Sequence, residues 1–311
     1  MKIERIETAW LSIESPEPQG LSSGYMTHSA DALCRITTND GIQGVGEGRG
    51  APLREICEII HLLFTPLLLN ENPLHTQLLW DRLLRSTLEE NGTSKDGLRS
   101  SSVRGALCAI DLALWDIKGK AAGMSVCELL GGKPRPVPAY IQKGFYVEGQ
   151  SLSEMADEAV TVLEAGGYRH LKMRVGRGGV EDAKQRVEVM RRALGDDVGL
   201  MVDVNQAWEL PDAIEAARAL DPYNLMWMEE PISRVPRTLP RNGYNWNEEL
   251  GKLGRETSIP LAAGENHEGL IECNDLIVKG RPRYMQLDVA KRSGGVSEWL
   301  KVVGICQANG I

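Results

Sequence analysis

Lys172 and Arg174 stand two residues apart in the apolar stretch RHLKMRVG, so a strand there aims both cations at one face. Further along, Asp203 ends GLMVD, Glu229 and Glu230 lie in LMWMEEP, Glu265 follows AAG, and Asp288 ends RYMQLD. In parallel α/β folds the C-terminal ends of the strands carry the chemistry. Carboxylates drawn together at such a mouth repel one another unless a cation lies between them. An all-oxygen donor set with no accompanying Cys or His selects a hard dication, Mg²⁺ first and Mn²⁺ second. Each group also has a plainer use. Asp203 can cap a helix, Glu229 or Glu230 can pair with a cation, Glu265 can be a solvated loop residue, and Lys172 and Arg174 can be salt-bridge partners of the acids.

The elements that must position these residues follow a strand–helix rhythm from about residue 136. Strand patterns cover 137–145, 170–176, 199–206, 225–231, 259–266 and 283–291, separated by amphipathic helices such as LSEMADEAVTVLEAG and EDAKQRVEVMRRALG. Near-continuous apolar strands in repeated βα units predict a parallel sheet covered on both faces, and the lack of any reversal favours a (β/α) barrel. Closure takes about eight strands. Only six are legible before Ile311, so the barrel domain (136–311) reads as C-terminally incomplete.

Residues 1–135 read as an α+β capping (lid) domain. KIERIETAWLSI alternates like a strand, and Asn39-Asp40-Gly41 marks a hairpin within DALCRITTNDGIQGVGEG. Helical patterns follow at about 52–69, 74–88 and 100–122. The polar Gly/Ser/Pro-rich stretch from Glu14 to Ala30 reads as a lid loop, with Tyr25 and His28 as substrate contacts; Arg49 in the 48–53 loop is another.

The chain resembles the mandelate racemase/muconate lactonizing enzyme family of the enolase superfamily, in its mandelate racemase branch. The resemblance runs essentially end to end through AIDLALWDIKGKAAG, K-x-R in place of the family's K-x-K, VDVNQ, WMEEP, AGEN and LDVAKRSGGVSEW. It implies a modified TIM barrel with an α+β cap. It also implies Mg²⁺ held by Asp203, Glu229 and Glu265, with Glu229 rather than Glu230 the ligand of that pair. Lys172 would donate to a substrate carboxylate and Asn205 would contact a substrate hydroxyl. Asp288 would orient a seventh-strand His that falls beyond Ile311. His267, just after Glu265, could approach substrate or serve helix entry, and a homo-oligomer is implied.

The shared reaction is removal of the proton beside a carboxylate, which needs positive charge where the enediolate forms. A racemase needs a base on each face, and arginine holds its proton at any ordinary pH. Arg174 therefore shifts the expectation to a lyase, an acid-sugar dehydratase making a 2-keto-3-deoxy acid from a small hydroxy-carboxylate. The alternatives are a racemase, epimerase or cycloisomerase of the same superfamily, or an inactive truncated paralogue serving as a structural subunit.

Bulk properties agree with that class. The 311 residues suffice for a sizeable core, and a net charge of −8 disfavours a nucleic-acid or anionic-membrane partner. No apolar run approaches the roughly 18–20 residues of a membrane span. The six cysteines are scattered without a C-x-x-C pair, which points to a reducing cytoplasm.

Overall fold

The computed structural model describes residues 1–89, 94–95, 97–235 and 244–311. The first part is an antiparallel sheet of β1 (Ile3–Gly20), β2 (Tyr25–Thr38) and β3 (Gln43–Gly48), in that order. The turn between β2 and β3 forms at the predicted hairpin, where Gly41 takes φ +85° and its N–H donates to Thr38 O at 2.9 Å. Three helical patterns become α1 (Leu53–Ile59) continuing through a π-helical turn into α2 (Thr65–Leu68), then α3 (Thr76–Thr87) and α4 (Ser100–Ala122). A short α5 (Val126–Leu129) follows. Helix α4 lies directly on β3 because Gly44, Gly46 and Gly48 present no side chain to it. A Cβ on any of them would meet an α4 carbonyl oxygen at 2.1 Å.

The Glu14–Ala30 stretch is not the loop expected from composition. Residues Glu14–Ala30 belong to a long β-ribbon: β1 and β2 pair from Ile3↔Thr38 out to Gly20↔Tyr25, with a register break between Glu14 and Gln19. Pro16 and Pro18 fall inside that break, on an edge strand, where no ladder N–H is required of them. Most ribbon residues in this stretch are exposed on both faces, so the alternation that betrays a half-buried strand is missing.

The second part is a six-stranded parallel sheet in sequential order, β4 (Ile141–Gln142), β5 (His170–Arg174), β6 (Gly199–Asp203), β7 (Leu225–Glu229), β8 (Leu261–Ala263) and β9 (Tyr284–Met285). Helices α6 (Leu152–Gly166), α7 (Gly179–Leu194), α8 (Leu210–Leu220), α9 (Trp246–Glu256), α10 (Gly269–Asp275) and α11 (Val296–Asn309) complete the α/β units of a partial (β/α) barrel. All six strands are shorter than their apolar patterns, β4, β8 and β9 the most. At β8, Pro260 precedes the strand and Gly264, at φ +134°, turns the chain out of the ladder.

Strand parity separates the two faces. Leu171, Met173 and Val175, Leu200, Val202 and Val204, and Leu261 and Ala263 join one buried apolar cluster with Ala159, Val187, Ala216 and Leu250 from α6 to α9. The alternate residues Lys172 and Arg174, Met201 and Asp203, and Trp227 and Glu229 take the opposite face. A second apolar core lies in the first part, around Ile36, Phe64, Leu107 and Ile110.

Buried polar bonds tie the two parts together. Arg104 Nη1 on α4 donates to Glu298 Oε2 on α11 at 2.6 Å, with both side chains almost fully enclosed. Asp111 accepts from Ser297 N at 2.9 Å and Ser297 Oγ at 2.6 Å, placing a carboxylate at the start of α11. Trp80 Nε1 donates to Gly294 O at 2.6 Å.

Burial pushes the Asp111 carboxyl up from 3.8 to about 7, against the Ser297 hydrogen bonds that favour its charged form. The folded state then holds this proton more tightly than the unfolded chain does. Its contribution to stability is therefore fully present at low pH and is lost as pH rises from 3.8 to about 7. Asp111→Asn removes the titrating proton and is expected to flatten that limb of the stability–pH curve in urea unfolding. An unchanged slope would place the pH dependence elsewhere.

Candidate active site

The register of β5, β6 and β7 sets Arg174 beside Asp203 and Asp203 beside Glu229. Lys172 Nζ donates to Glu229 Oε2 at 2.7 Å and to Asp203 Oδ2 at 3.2 Å. Arg174 Nη1 donates to the same Asp203 Oδ2 and to Asn205 Oδ1 at 3.1 Å. Asn205 N in turn donates to Asp203 Oδ1 at 2.9 Å. Lys172, Asp203 and Glu229 are only 6, 1 and 2 % exposed, so these charges face one another with little solvent screening. The ion pairs that formed the plainer reading of these residues are therefore present, on the inner face of the barrel.

Burial alone would depress the Lys172 pKa; Asp203 and Glu229 more than offset it and hold the ammonium above the ordinary lysine range. Burial and the neighbouring Asp203 anion push Glu229 up to about 7, against the donors Lys172 and Gln286. The cluster thus favours further positive charge next to Glu229.

Glu229 Oε2 collects three donors: Lys172 Nζ, Gln286 Nε2 at 2.9 Å and Trp227 Nε1 at 3.4 Å. Trp227 and Gln286 were not singled out by sequence reading. Their signal was parity, since Trp227 lies two residues before Glu229 and Gln286 two before Asp288. Glu230 was also missed as a buried group. Its Oε2 accepts from Gln206 Nε2 at 2.5 Å and Asn266 Nδ2 at 2.7 Å, while its buried Oε1 has no partner among the described residues. Asn205, Gln206 and Glu230 all take positive φ (48°, 61° and 37°), a concentration of backbone strain at the strand ends.

Glu265 joins through Asn266, whose Nδ2 also donates to Glu265 Oε1 at 2.9 Å, and its Oε2 faces Lys291 Nζ at 3.8 Å. Among the described residues, no three His, Cys, Asp or Glu side chains form a group ready to hold a metal ion. Of the expected trio, Asp203 and Glu229 are bridged by Lys172, while Glu265 is linked through Asn266 to Glu230 and not to either of them. The donor chemistry still fits a hard dication. Every candidate donor among Asp203, Glu229 and Glu265 is a carboxylate oxygen.

The remaining expected site residues make their contacts outside this ion-pair cluster. Asp288 Oδ1 accepts from Ala290 N at 2.9 Å, and Asp288 lines a cavity of about 490 Å³ with Val45, Leu112 and Trp115. Arg49 Nε donates to Asp31 Oδ1 at 2.6 Å, and its N–H donates to Ala290 O at 2.7 Å. His28 bonds Thr27 Oγ1 at 2.9 Å on the exposed ribbon. Tyr25 carries the Arg177 guanidinium over its ring at 4.3 Å.

The placement of His267 corrects the expectation of a substrate contact. It is 2 % exposed, against the Trp246 ring, with Arg234 Nη2 at 2.8 Å from Nδ1 and Asn247 Oδ1 at 2.9 Å from Nε2. Burial and the Arg234 charge push its pKa down to about 3, so the imidazole is neutral and both its nitrogens are engaged. Sequence placed it next to Glu265, but the turn after β8 sends it to the helix side.

Comparison with known proteins places this architecture. Residues 5–131 match the mandelate racemase / muconate lactonizing enzyme N-terminal domain, and residues 154–311 match the enolase C-terminal domain-like family. The chain belongs to the mandelate racemase / muconate lactonizing enzyme family of the enolase superfamily. It is 29 % identical to arabinonate dehydratase of Saccharolobus solfataricus, over 92 % of this chain and 72 % of that protein. It is 35 % identical to 3,6-anhydro-alpha-L-galactonate cycloisomerase of Streptomyces coelicolor, over 68 % of this chain and 55 % of that one, little more than half its length. A solved racemase from Streptomyces coelicolor A3(2) with bound magnesium superposes with TM-score 0.86 at 28 % identity, covering 99 % of this chain and 82 % of that chain. Among the described residues, no helix is long and apolar enough to cross a membrane.

Proposed function

We propose that this protein removes the proton beside the carboxylate of a small acid sugar and expels the β-hydroxyl, yielding a 2-keto-3-deoxy acid. The observation that carries the reading is Arg174. It sits on the inner face hydrogen-bonded to Asp203, and its buried Nε has no partner among the described residues. A group so held is a poor base and a good donor to a departing hydroxyl. The dehydratase among the relatives supports this outcome, and the cycloisomerase and racemase support the second reading, an isomerase on the same site.

Asp203, Glu229 and Glu265 would hold Mg²⁺, which when bound supplies positive charge to the substrate carboxylate as the α-proton leaves. Lys172 donates to that carboxylate, and Asn205 to a substrate hydroxyl. Loss of the α-hydrogen and the β-hydroxyl together releases one water and leaves an enol that tautomerises to the 2-keto acid. The test is incubation with Mg²⁺ and an acid-sugar library, reading keto-acid formation. Turnover is expected with at least one member, to vanish on chelation and to return with Mg²⁺. If no keto acid forms while solvent deuterium enters the α-carbon with loss of chirality, the isomerase reading replaces this one.

A further inference from the structure

The tip of the β1–β2 ribbon reaches the strand ends that carry the candidate site. Ser22 Oγ donates to Asn205 O at 3.2 Å, and Gly20 exchanges both backbone hydrogen bonds with Tyr146, at 2.9 and 3.0 Å. Gly20 is required for that approach, because a Cβ there would stand 2.4 Å from Tyr146 O. Between these contacts lies Arg177, three residues after Arg174 on the segment leaving β5. Its Nε donates to Leu21 O at 3.1 Å and its Nη2 to Gly24 O at 2.8 Å. The guanidinium lies 4.3 Å from the Tyr25 ring centre and 5.2 Å from that of Tyr146. Arg177 N donates to Tyr146 Oη at 3.1 Å, and Tyr146 Oη donates to Asp182 at 2.9 Å, so the platform beneath the guanidinium is itself fixed.

We infer that Arg177 is the latch that closes the ribbon over the barrel mouth, a positioning residue that sets the lid above Lys172 and Asp203. A planar fork suits the task. Two N–H groups meet the two carbonyls of one turn while the flat cation stacks between aromatic rings, and a lysine ammonium cannot do both. The latch joins the capping sheet to the segment next to the cations of the site, so substrate entry and lid order are coupled through it. The link to substrate rests on the function proposed above; the link to lid order does not.

The experiment compares Arg177→Met and Arg177→Lys with the parent protein by amide hydrogen exchange and, with the acid sugar found by the library screen, by steady-state kinetics. Exchange at Gly20 and Leu21, whose N–H groups are bonded in the closed ribbon at 2.9 and 2.8 Å, reports the latch. Arg177→Met is expected to speed exchange there by about 10- to 100-fold, leaving the barrel strands unchanged. It should raise KM by a similar factor with kcat altered little, and Arg177→Lys should recover part of both effects. Unchanged exchange at Gly20 and Leu21 overturns the latch whatever the substrate. Faster exchange spread through β5–β9 shows a general structural role and also overturns it. Faster ribbon exchange with KM unmoved separates the lid from the site. If the parent protein turns over no acid sugar, the function proposed above fails while exchange still decides the latch.

Discussion

Lys172→Met is expected to lower kcat/KM for the responsive acid sugar by about 10²–10³-fold, the cost of removing one preorganised donor to developing negative charge. The effect should fall on kcat as well as KM, because the charge on the substrate carboxylate grows as the α-proton leaves. The ammonium is almost fully enclosed and bonded to two carboxylates, so water cannot replace it cheaply. Methionine keeps the stem length and removes the ammonium, with its charge and its N–H donors. Its effect on the dication should have the opposite sign. Lys172 Nζ competes for Asp203 and Glu229, so Mg²⁺ affinity measured by calorimetry should not fall in the variant. Loss of activity together with loss of Mg²⁺ binding would assign Lys172 to holding the carboxylates in place and not to the substrate.

The second large effect is on stability. Arg104→Met leaves Glu298 buried without its cation and is expected to cost about 3–5 kcal/mol of unfolding free energy, read by urea titration. The Arg104–Glu298 pair joins α4 of the capping part to α11 of the barrel at 2.6 Å, and Glu298 Oε1 also accepts from Leu270 N at 2.9 Å, at the start of α10. The carboxylate therefore cannot turn outward to water without breaking a helix-end contact. The double variant Arg104→Met with Glu298→Gln, which removes the orphaned charge, should recover a substantial part of the loss. A cost for Arg104→Met within about 0.5 kcal/mol of zero, the range of an ordinary surface change, would show that the pair is not coupled to folding.

The sequence alone determined the strand–helix rhythm, the capping helices, the hairpin at Asn39–Gly41 and the inward face of Lys172, Arg174, Asp203 and Glu229. All of these depend on local periodicity, which fixes side-chain parity before any packing occurs. Tertiary structure decided what parity cannot express. Lys172 rather than Arg174 bridges the two acids, and Gln286 reaches Glu229 across β8, where the registered residue is only Ala262. The turn after β8 carries His267 to the helix side, although it is only two residues from Glu265. The Glu14–Ala30 stretch is a paired ribbon bonded to Arg177 rather than a loop, because its pairing partner lies across a hairpin and its Arg177 contact more than 150 residues away. Such contacts depend on register and chain crossing, quantities set by the whole sheet and by no single segment.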